Sequence, residues 1–389
     1  MRIFISAGEA SGDIHAAQLI AALRQLSPES EFTFLGGDLM AQAAGCDPLI
    51  HYRDMAYMGF SEVLRHLPQV LGNLDTARQA LLAKRHDALI LVDYPSFNLK
   101  LAKAAYKAGI PVYYYISPKV WAWKEGRVKK IKKYVRRVLS ILPFEVEFFA
   151  RRHNYAVDYV GNPSVAEVDA RLAALPPVAD FCRVHNLNPE QPILALLPGS
   201  RKGEIRNNLP IMAAVAANYP QYQTIVAGAP GIDPDFYNDY TAGKVIHGLT
   251  FDMLAYADAA LVTSGTATLE AALIGTPQVV CYRANGSKLS YNLFKRILKV
   301  NYVSLPNLIA DKQVVPEMLL HHCNPTEINQ ALYPLLSLTE TRDAAACEAN
   351  NYPTRTAMKE GYAEVRRRLT DKNSAQNAAQ IILSDLNSR

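Results

Sequence analysis

Three loops carry the residue types that phosphate and sugar chemistry needs. In Leu261-Val262-Thr263-Ser264-Gly265-Thr266-Ala267-Thr268-Leu269-Glu270, an apolar strand pattern (Ala259 to Val262) runs into a hydroxyl-and-glycine turn, and a helix pattern begins at once. The first N–H groups of a helix have no partner within it, so this start, with Gly265 and the Ser264 and Thr266 hydroxyls, forms a seat for phosphate. Glu270 follows a turn later, placed to accept from the two hydroxyls of a ribose. A capping box from Thr266 would need its acid at position 269, which is Leu. Leu197-Pro198-Gly199-Ser200-Arg201 follows a second apolar strand pattern, and the planar fork of Arg201 suits a diphosphate that must leave as an anion. Gly199, Ser200 and Arg201, taken with the Ser264 turn and Glu270, read as a nucleotide-diphosphate site.

The third loop, Val92-Asp93-Tyr94-Pro95-Ser96-Phe97-Asn98, ends a strand too apolar to be anything but buried. In an inverting sugar transfer one carboxylate there suffices, taking the proton from the attacking hydroxyl. Capping of a helix beginning near Phe97 is the competing role for Asp93. Gly8-Glu9-Ala10-Ser11-Gly12-Asp13 follows the first strand; it lacks GxGxxG spacing, and no acid ends the second strand, which disfavours a dinucleotide. Two acids would repel a pyrophosphate, so Glu9 and Asp13 suit sugar hydroxyl or amine groups, with Ser11 or Asp13 also able to cap the helix. Asp233-Pro234-Asp235 has the DxD form of metal-dependent sugar transferases, but acidic proline turns are common and Arg201 can serve a leaving phosphate; no metal is expected.

Short apolar runs alternate with helical patterns almost throughout, the signature of parallel sheets with helices on both faces. Strand patterns cover Arg2–Ser6, Phe32–Leu35, Ala88–Val92, Val112–Ile116, Val138–Ile141 and Val157–Val160, then Ile193–Leu197, Thr224–Ala227, Lys244–Ile246, Ala259–Val262 and Gln278–Cys281. Pro176-Pro177 and the polar stretch to Pro192 form the best linker. The expectation is an α/β chain of two doubly wound, Rossmann-like domains, 1–175 and 176–340, facing a cleft, with helices over 341–389 packing back or exchanged in a dimer.

A chain of 389 residues is long for one core, and its composition, 50% hydrophobic and 20% charged, is that of a globular protein. Five scattered cysteines (Cys46, Cys182, Cys281, Cys323, Cys347) lack CxxC spacing, which predicts a reducing compartment and neither a disulfide framework nor a zinc knuckle. The first strand meets Glu9 and Asp13 with no signal-peptide pattern, and no apolar run reaches the ~18 residues of a spanning helix. A cytosolic protein, or one lying on a membrane from the cytosolic side, is expected.

Two features suggest lipid. From Lys124 to Arg137 one acid stands in fourteen residues, and Lys129, Lys130, Lys132 and Lys133 leave charge unpaired, which favours anionic lipid or phosphate over a merely solvated face. Nucleic acid is disfavoured because stacking aromatics are not interleaved. Met55, Met58, Phe60, Val63, Leu64, Leu67, Val70 and Leu71 repeat at helical spacing, partly as core and partly as a surface for acyl chains.

In this order the loops resemble the lipid-A-disaccharide synthase family of GT-B glycosyltransferases. The resemblance rests on Gly8 to Asp13, Asp93 with Pro95, Phe97 and Asn98, Ser117-Pro118 with Val120-Trp121-Ala122-Trp123, Leu142-Pro143-Phe144-Glu145, Leu197 to Arg201, Ser264 to Ala267 with Leu269-Glu270, and Tyr302-Val303-Ser304-Leu305-Pro306-Asn307. It implies transfer of 2,3-diacylglucosamine from UDP to the 6-hydroxyl of 2,3-diacylglucosamine 1-phosphate, giving a β-1,6 disaccharide and UDP, a step toward the lipid anchor of lipopolysaccharide in Gram-negative bacteria. It further implies metal independence, no cofactor, peripheral attachment at the inner membrane from the cytoplasm, and frequent dimerisation through C-terminal parts. Asp93 matches the family's proposed base, and Arg201 and Asn307 its important Arg and Asn; Gly8, Glu9, Ser11, Gly12, Asp13 and Asn98 fall to the acceptor side. Asn162 stands where many relatives have His, and Ile14-His15 replaces Leu-Gly. The competing readings are a UDP-N-acetylglucosamine 2-epimerase, another GT-B transferase, and a non-catalytic binder of lipid phosphate or nucleic acid.

Overall fold

The computed structural model describes residues 1–55, 67–122, 124–241, 243–283, 301–337, 352–370 and 373–388. The chain forms two units, Met1–Pro163 with Thr370–Arg389, and Ser164–Leu369.

The first unit runs β1 (Arg2–Ala7), α1 (Ala10–Leu26), β2 (Glu31–Gly36), α2 (Asp38–Ala44), β3 (Ile50–His51), α3 (Leu67–Ala83), β4 (Ala88–Val92), α4 (Pro95–Lys107), β5 (Val112–Tyr115), α5 (Val128–Tyr134), β6 (Arg137–Ser140), α6 (Pro143–His153) and β7 (Asp158–Tyr159). All seven strands are parallel, in the order β3-β2-β1-β4-β5-β6-β7. Central strands covered on both faces must be apolar throughout, and Ala88 to Val92 are all fully buried. Tyr113, Tyr114 and Tyr115 are buried together on alternate faces, Tyr113 and Tyr115 toward α1, Tyr114 toward α4.

The second unit runs α7 (Pro163–Ala173), α8 (Val178–Val184), β8 (Ile193–Leu197), α9 (Lys202–Ala216), β9 (Gln223–Gly228), β10 (Lys244–His247), α10 (Thr250–Tyr256), β11 (Ala257–Thr263), α11 (Thr266–Ile274), β12 (Gln278–Tyr282), α12 (Leu305–Ala310), β13 (Glu317–Leu319), α13 (Pro325–Leu332) and α14 (Arg355–Leu369). Its parallel sheet has the order β10-β9-β8-β11-β12-β13. Both sheets reverse direction of winding beside their first strand, the doubly wound arrangement that the alternating pattern predicts.

The chain divides elsewhere than at Pro176-Pro177. That turn lies within the second unit, where the Pro176 carbonyl accepts from the Tyr256 hydroxyl. The C-terminal helices also part company. α14 packs on α11 and α12, whereas α15 (Ser374–Asn387) returns to α1 in the first unit. Ala378, Ala379 and Ile382 are buried there with Ala16, Leu19 and Ile20, and side chains from β5 fasten the helix: Tyr115 meets Ser374 at 3.0 Å and Tyr113 donates to Asp385 at 2.5 Å. Arg136 adds a bidentate ion pair to Asp385 and holds its carboxyl below the usual range.

Candidate active site

Strands β1, β4 and β5 are neighbours, with Ala7 opposite Val92 and Val92 opposite Tyr115, so the loops after them emerge side by side. Asp93 and Tyr94 both take left-handed backbone (φ 43° and 45°), as does the β-branched Ile116 (φ 58°). Each such residue costs about 1–3 kcal/mol, so the surroundings must hold it. Asn98, fully buried, donates from Nδ2 to the carbonyls of Asp93 (2.8 Å) and Val92 (3.2 Å) and accepts from the Ser6 hydroxyl (2.7 Å). Tyr114 donates its hydroxyl to the same Asp93 oxygen at 2.7 Å, Tyr94 donates its own to the Met55 carbonyl at 2.9 Å, and the Asp93 N–H reaches the Ile116 carbonyl at 3.2 Å. At about 1 kcal/mol net for each bond, this set offsets the backbone cost.

The Asp93 carboxylate is left half-buried at the loop tip. It does not cap α4, whose N-cap residue is Tyr94 and whose first turn has no side-chain capping bond among the described residues. Burial pushes its pKa up, more than Lys119, the Tyr94 N–H, Arg127 and His15 pull it down. A carboxylate with a raised pKa is a better proton acceptor at neutral pH than an ordinary one.

Gly8 is required by contact: a Cβ there would stand 2.3 Å from the Tyr94 ring. At Gly12 the clearance is 3.3 Å, to Ala7. Glu9 is the N-cap of α1, half-buried, and Ser11 is exposed beside it. Asp13 is different. It is 3% exposed, and its carboxylate accepts from the N–H groups of Gly37 (2.7 Å), Met40 (3.2 Å) and Leu39 (3.2 Å), holding the start of α2. Asp13 and Asn98 therefore brace the loops from inside and do not present themselves to a sugar.

In the second unit β8 and β11 are paired, with Leu197 opposite Val262, which sets the Arg201 and Ser264 loops side by side. Gly199 takes φ 119°, and a Cβ there would meet Glu204 at 2.6 Å. Glu204 accepts from the Ser200 N–H at 3.0 Å and from Arg201 at 2.9 Å, leaving the Arg201 side chain 69% exposed. Gly265 is the N-cap of α11 with no side-chain bond, Thr266 is exposed, and Ser264 half-buried. Thr263, 7% exposed at the end of β11, has a buried hydroxyl without a hydrogen-bond partner among the described residues. A helix start with no side-chain cap and an unsatisfied hydroxyl beside it are what an anion seat requires. Glu270 stands one turn on, half-buried, 3.8 Å from Arg171; burial raises its pKa, Arg171 lowers it and Glu167 raises it.

Asn307 is fully buried rather than facing a ligand. Its oxygen accepts from the N–H groups of Val314 (2.7 Å) and Val315 (2.9 Å), and its nitrogen donates to the Val315 carbonyl and to Glu317. Glu317 in turn accepts from Ser304 and Val303, so the Ser304–Asn307 segment is a fastened corner. Asp233 accepts from the Asp235 N–H at 3.0 Å, capping its own turn.

Sequence reasoning passed over Glu145. This residue, 2% exposed in the first turn of α6, receives Trp121 Nε1 at 3.0 Å and the hydroxyls of Ser117 and Ser140, and burial pushes its carboxyl up to about 7. The signal was an acid beside Pro143 in a segment already singled out. Tyr114 was hidden in a strand pattern, and Thr263 behind the more visible Ser264.

Among the lipid candidates, Met55 is 1% exposed and belongs to the core under α3 and α4, so it is not a membrane contact. Met58, Phe60 and Leu64 lie outside the described residues, as does Trp123; Leu67 opens α3. Lys129, Lys130, Lys132 and Lys133 are exposed on α5 while Val128 and Ile131 are buried. No described helix is long and apolar enough to cross a membrane.

Two doubly wound parallel-sheet α/β units are the fold of the GT-B class. Solved structures agree in fold: UDP-GlcNAc 2-epimerase from Neisseria meningitidis bound to UDP-GlcNAc matches with a TM-score of 0.65 at 13% identity, over 100% of both chains. The calicheamicin glycosyltransferase CalG4 matches at 0.58 with 15% identity, over 100% of this chain and 98% of its own. In sequence, the family model for lipid-A-disaccharide synthetase matches residues 3–364. Lipid-A-disaccharide synthase of Myxococcus xanthus is 41% identical over 98% of this chain and 97% of its own length, and that of Acidobacterium capsulatum is 37% identical over 96% and 93%. The chain belongs to the lipid-A-disaccharide synthetase family and is a glycosyltransferase.

Proposed function

We propose that the protein transfers 2,3-diacylglucosamine from UDP-2,3-diacylglucosamine to the 6-hydroxyl of 2,3-diacylglucosamine 1-phosphate, with inversion and without a metal. The Asp93 loop carries this reading, because so much buried hydrogen bonding holds one half-buried carboxylate in unfavourable backbone. Asp93 takes the proton of the 6-hydroxyl as its oxygen attacks the anomeric carbon. The bond from that carbon to the β-phosphate oxygen breaks, and UDP departs with both electrons. Glu9 and Ser11 contact the acceptor sugar.

Thr263, Ser264 and the start of α11 receive the diphosphate, and Glu270 holds the ribose. An exposed ion pair such as Arg201–Glu204 is worth about 0–1 kcal/mol, so Arg201 exchanges its partner for the more highly charged diphosphate at little cost. The protein works peripherally at the cytoplasmic face of the inner membrane. Exposed Lys129, Lys130, Lys132 and Lys133 support this, as does a groove of about 790 Å³ between α3 and α4, apolar at Leu71, Leu74 and Leu82 and rimmed by Lys100, Lys103 and Lys107.

Incubation with both lipids in neutral detergent and EDTA is the test, read by UDP release and product mass. A disaccharide 1-phosphate that requires both substrates is expected. UDP-N-acetylglucosamine turned over alone, with no disaccharide from the lipids, would replace this reading with an epimerase.

A further inference from the structure

We propose that Lys119 and Arg127 bind the phosphate of the acceptor. The inference rests on the transfer reading above and adds the group that selects a phosphorylated sugar.

Lys119 is held in place by its flanks. Ile116 is tied to Asp93 through the 3.2 Å main-chain bond, and Ser117 and Trp121 are both anchored on the buried carboxyl of Glu145. Ser117, Pro118, Val120 and Trp121 are buried, so Lys119 is the one exposed side chain in that run. The Ala122 N–H closes the turn on the Lys119 carbonyl at 3.1 Å. Arg127, half-buried, places Nη2 3.2 Å from the hydroxyl of Ser96 on the first turn of α4. Both cations therefore border the Asp93 loop, and both act on its carboxylate.

The acceptor supplies a matching anion. One sugar ring carries both the 6-hydroxyl that Asp93 deprotonates and the 1-phosphate, so the phosphate must lie within a ring's span of Asp93. A guanidinium offers paired donors to two phosphate oxygens and an ammonium adds a point charge, the combination suited to a phosphate monoester. Bound phosphate also neutralises the two cations that lower the Asp93 pKa, which keeps the base strong once the acceptor is seated.

The test compares 2,3-diacylglucosamine 1-phosphate with 2,3-diacylglucosamine as acceptors in neutral detergent, for wild type, Lys119→Gln, Lys119→Arg and Arg127→Gln. Each Gln variant is expected to lower the preference for the phosphorylated acceptor, as a kcat/KM ratio, by about ten-fold or more. The donor KM is expected to stay within about two-fold. Lys119→Arg should restore most of the preference. An undiminished preference in both Gln variants overturns the proposal, as does an effect confined to the donor KM. A change that appears only when anionic vesicles are added would assign these cations to membrane lipid instead and overturn it equally. A wild-type protein that makes no disaccharide defeats the transfer reading itself and is visible before any variant is made.

Discussion

The side-chain amide of Asn98 donates to the main-chain oxygen of Asp93 at 2.8 Å, so a fully buried residue fixes the backbone that carries the Asp93 carboxylate. Asn98→Ala leaves that oxygen with the Tyr114 hydroxyl as its remaining described donor and takes away the acceptor of the Ser6 hydroxyl. A loss of about 1–3 kcal/mol in stability is expected, with a larger fall in kcat than in substrate binding. Urea unfolding and steady-state kinetics on one preparation check both. Normal turnover in a destabilised variant would mean that the loop holds its shape without Asn98.

Gly8 and Gly12 separate in the same way. A methyl at Gly8 would lie 2.3 Å from the Tyr94 ring, whose hydroxyl is tied to Met55, so the ring cannot retreat without moving the loop. Gly8→Ala is expected to cost about 1–3 kcal/mol and most of the activity. Gly12→Ala, with 3.3 Å to Ala7, should be milder in both. Thermal melts and initial rates of the two variants give the comparison, and equal effects would remove the Tyr94 contact as the cause.

Because burial raises the Asp93 pKa, the acid limb of kcat/KM should fall above the ordinary carboxylate range. Lys119 opposes that shift, so removing its charge raises the pKa further. In Lys119→Gln the limb is expected to move to higher pH, and movement to lower pH would contradict the assigned cause.

Glu145 gives a stability prediction of the opposite kind to the usual carboxylate. Its folded pKa, about 7, exceeds the ordinary 4.5, so the folded state holds the proton more tightly than the unfolded chain does. The resulting stabilisation is complete below pH 4.5 and is lost as pH rises to about 7. Glu145→Gln keeps a polar side chain that needs no deprotonation, so its stability relative to wild type should improve by about 3 kcal/mol across that window and then level off. Melting temperatures of both proteins from pH 4 to about 8 test this. A pH-independent difference would show that burial does not penalise the Glu145 charge.

Much of this was legible because buried parallel strands leave continuous apolar runs. Ala88–Val92 and Ile193–Leu197 are strands over those same residues. β3 and β13, two and three residues long, are too short to form a pattern. The loops after strands were also readable, since hydroxyls, glycines and acids stand out there. Which way a side chain turns was not. Asp13, Asn98 and Asn307 have the residue types of ligand contacts, yet each satisfies buried backbone groups, a demand that arises only when distant segments meet. Met55 followed a helical repeat but packs in the core. The bonds from Tyr113 and Tyr115 to α15 join residues more than 250 positions apart, which no local period records.

The role of Asp93 is tested most directly by replacing it with Asn and following disaccharide formation from both lipid substrates under single-turnover conditions. The exchange preserves shape and removes only the proton acceptor. Folded Asp93→Asn that still binds UDP should form product about 10² to 10⁴ times more slowly than wild type. Turnover near the wild-type rate would show that another group takes the proton.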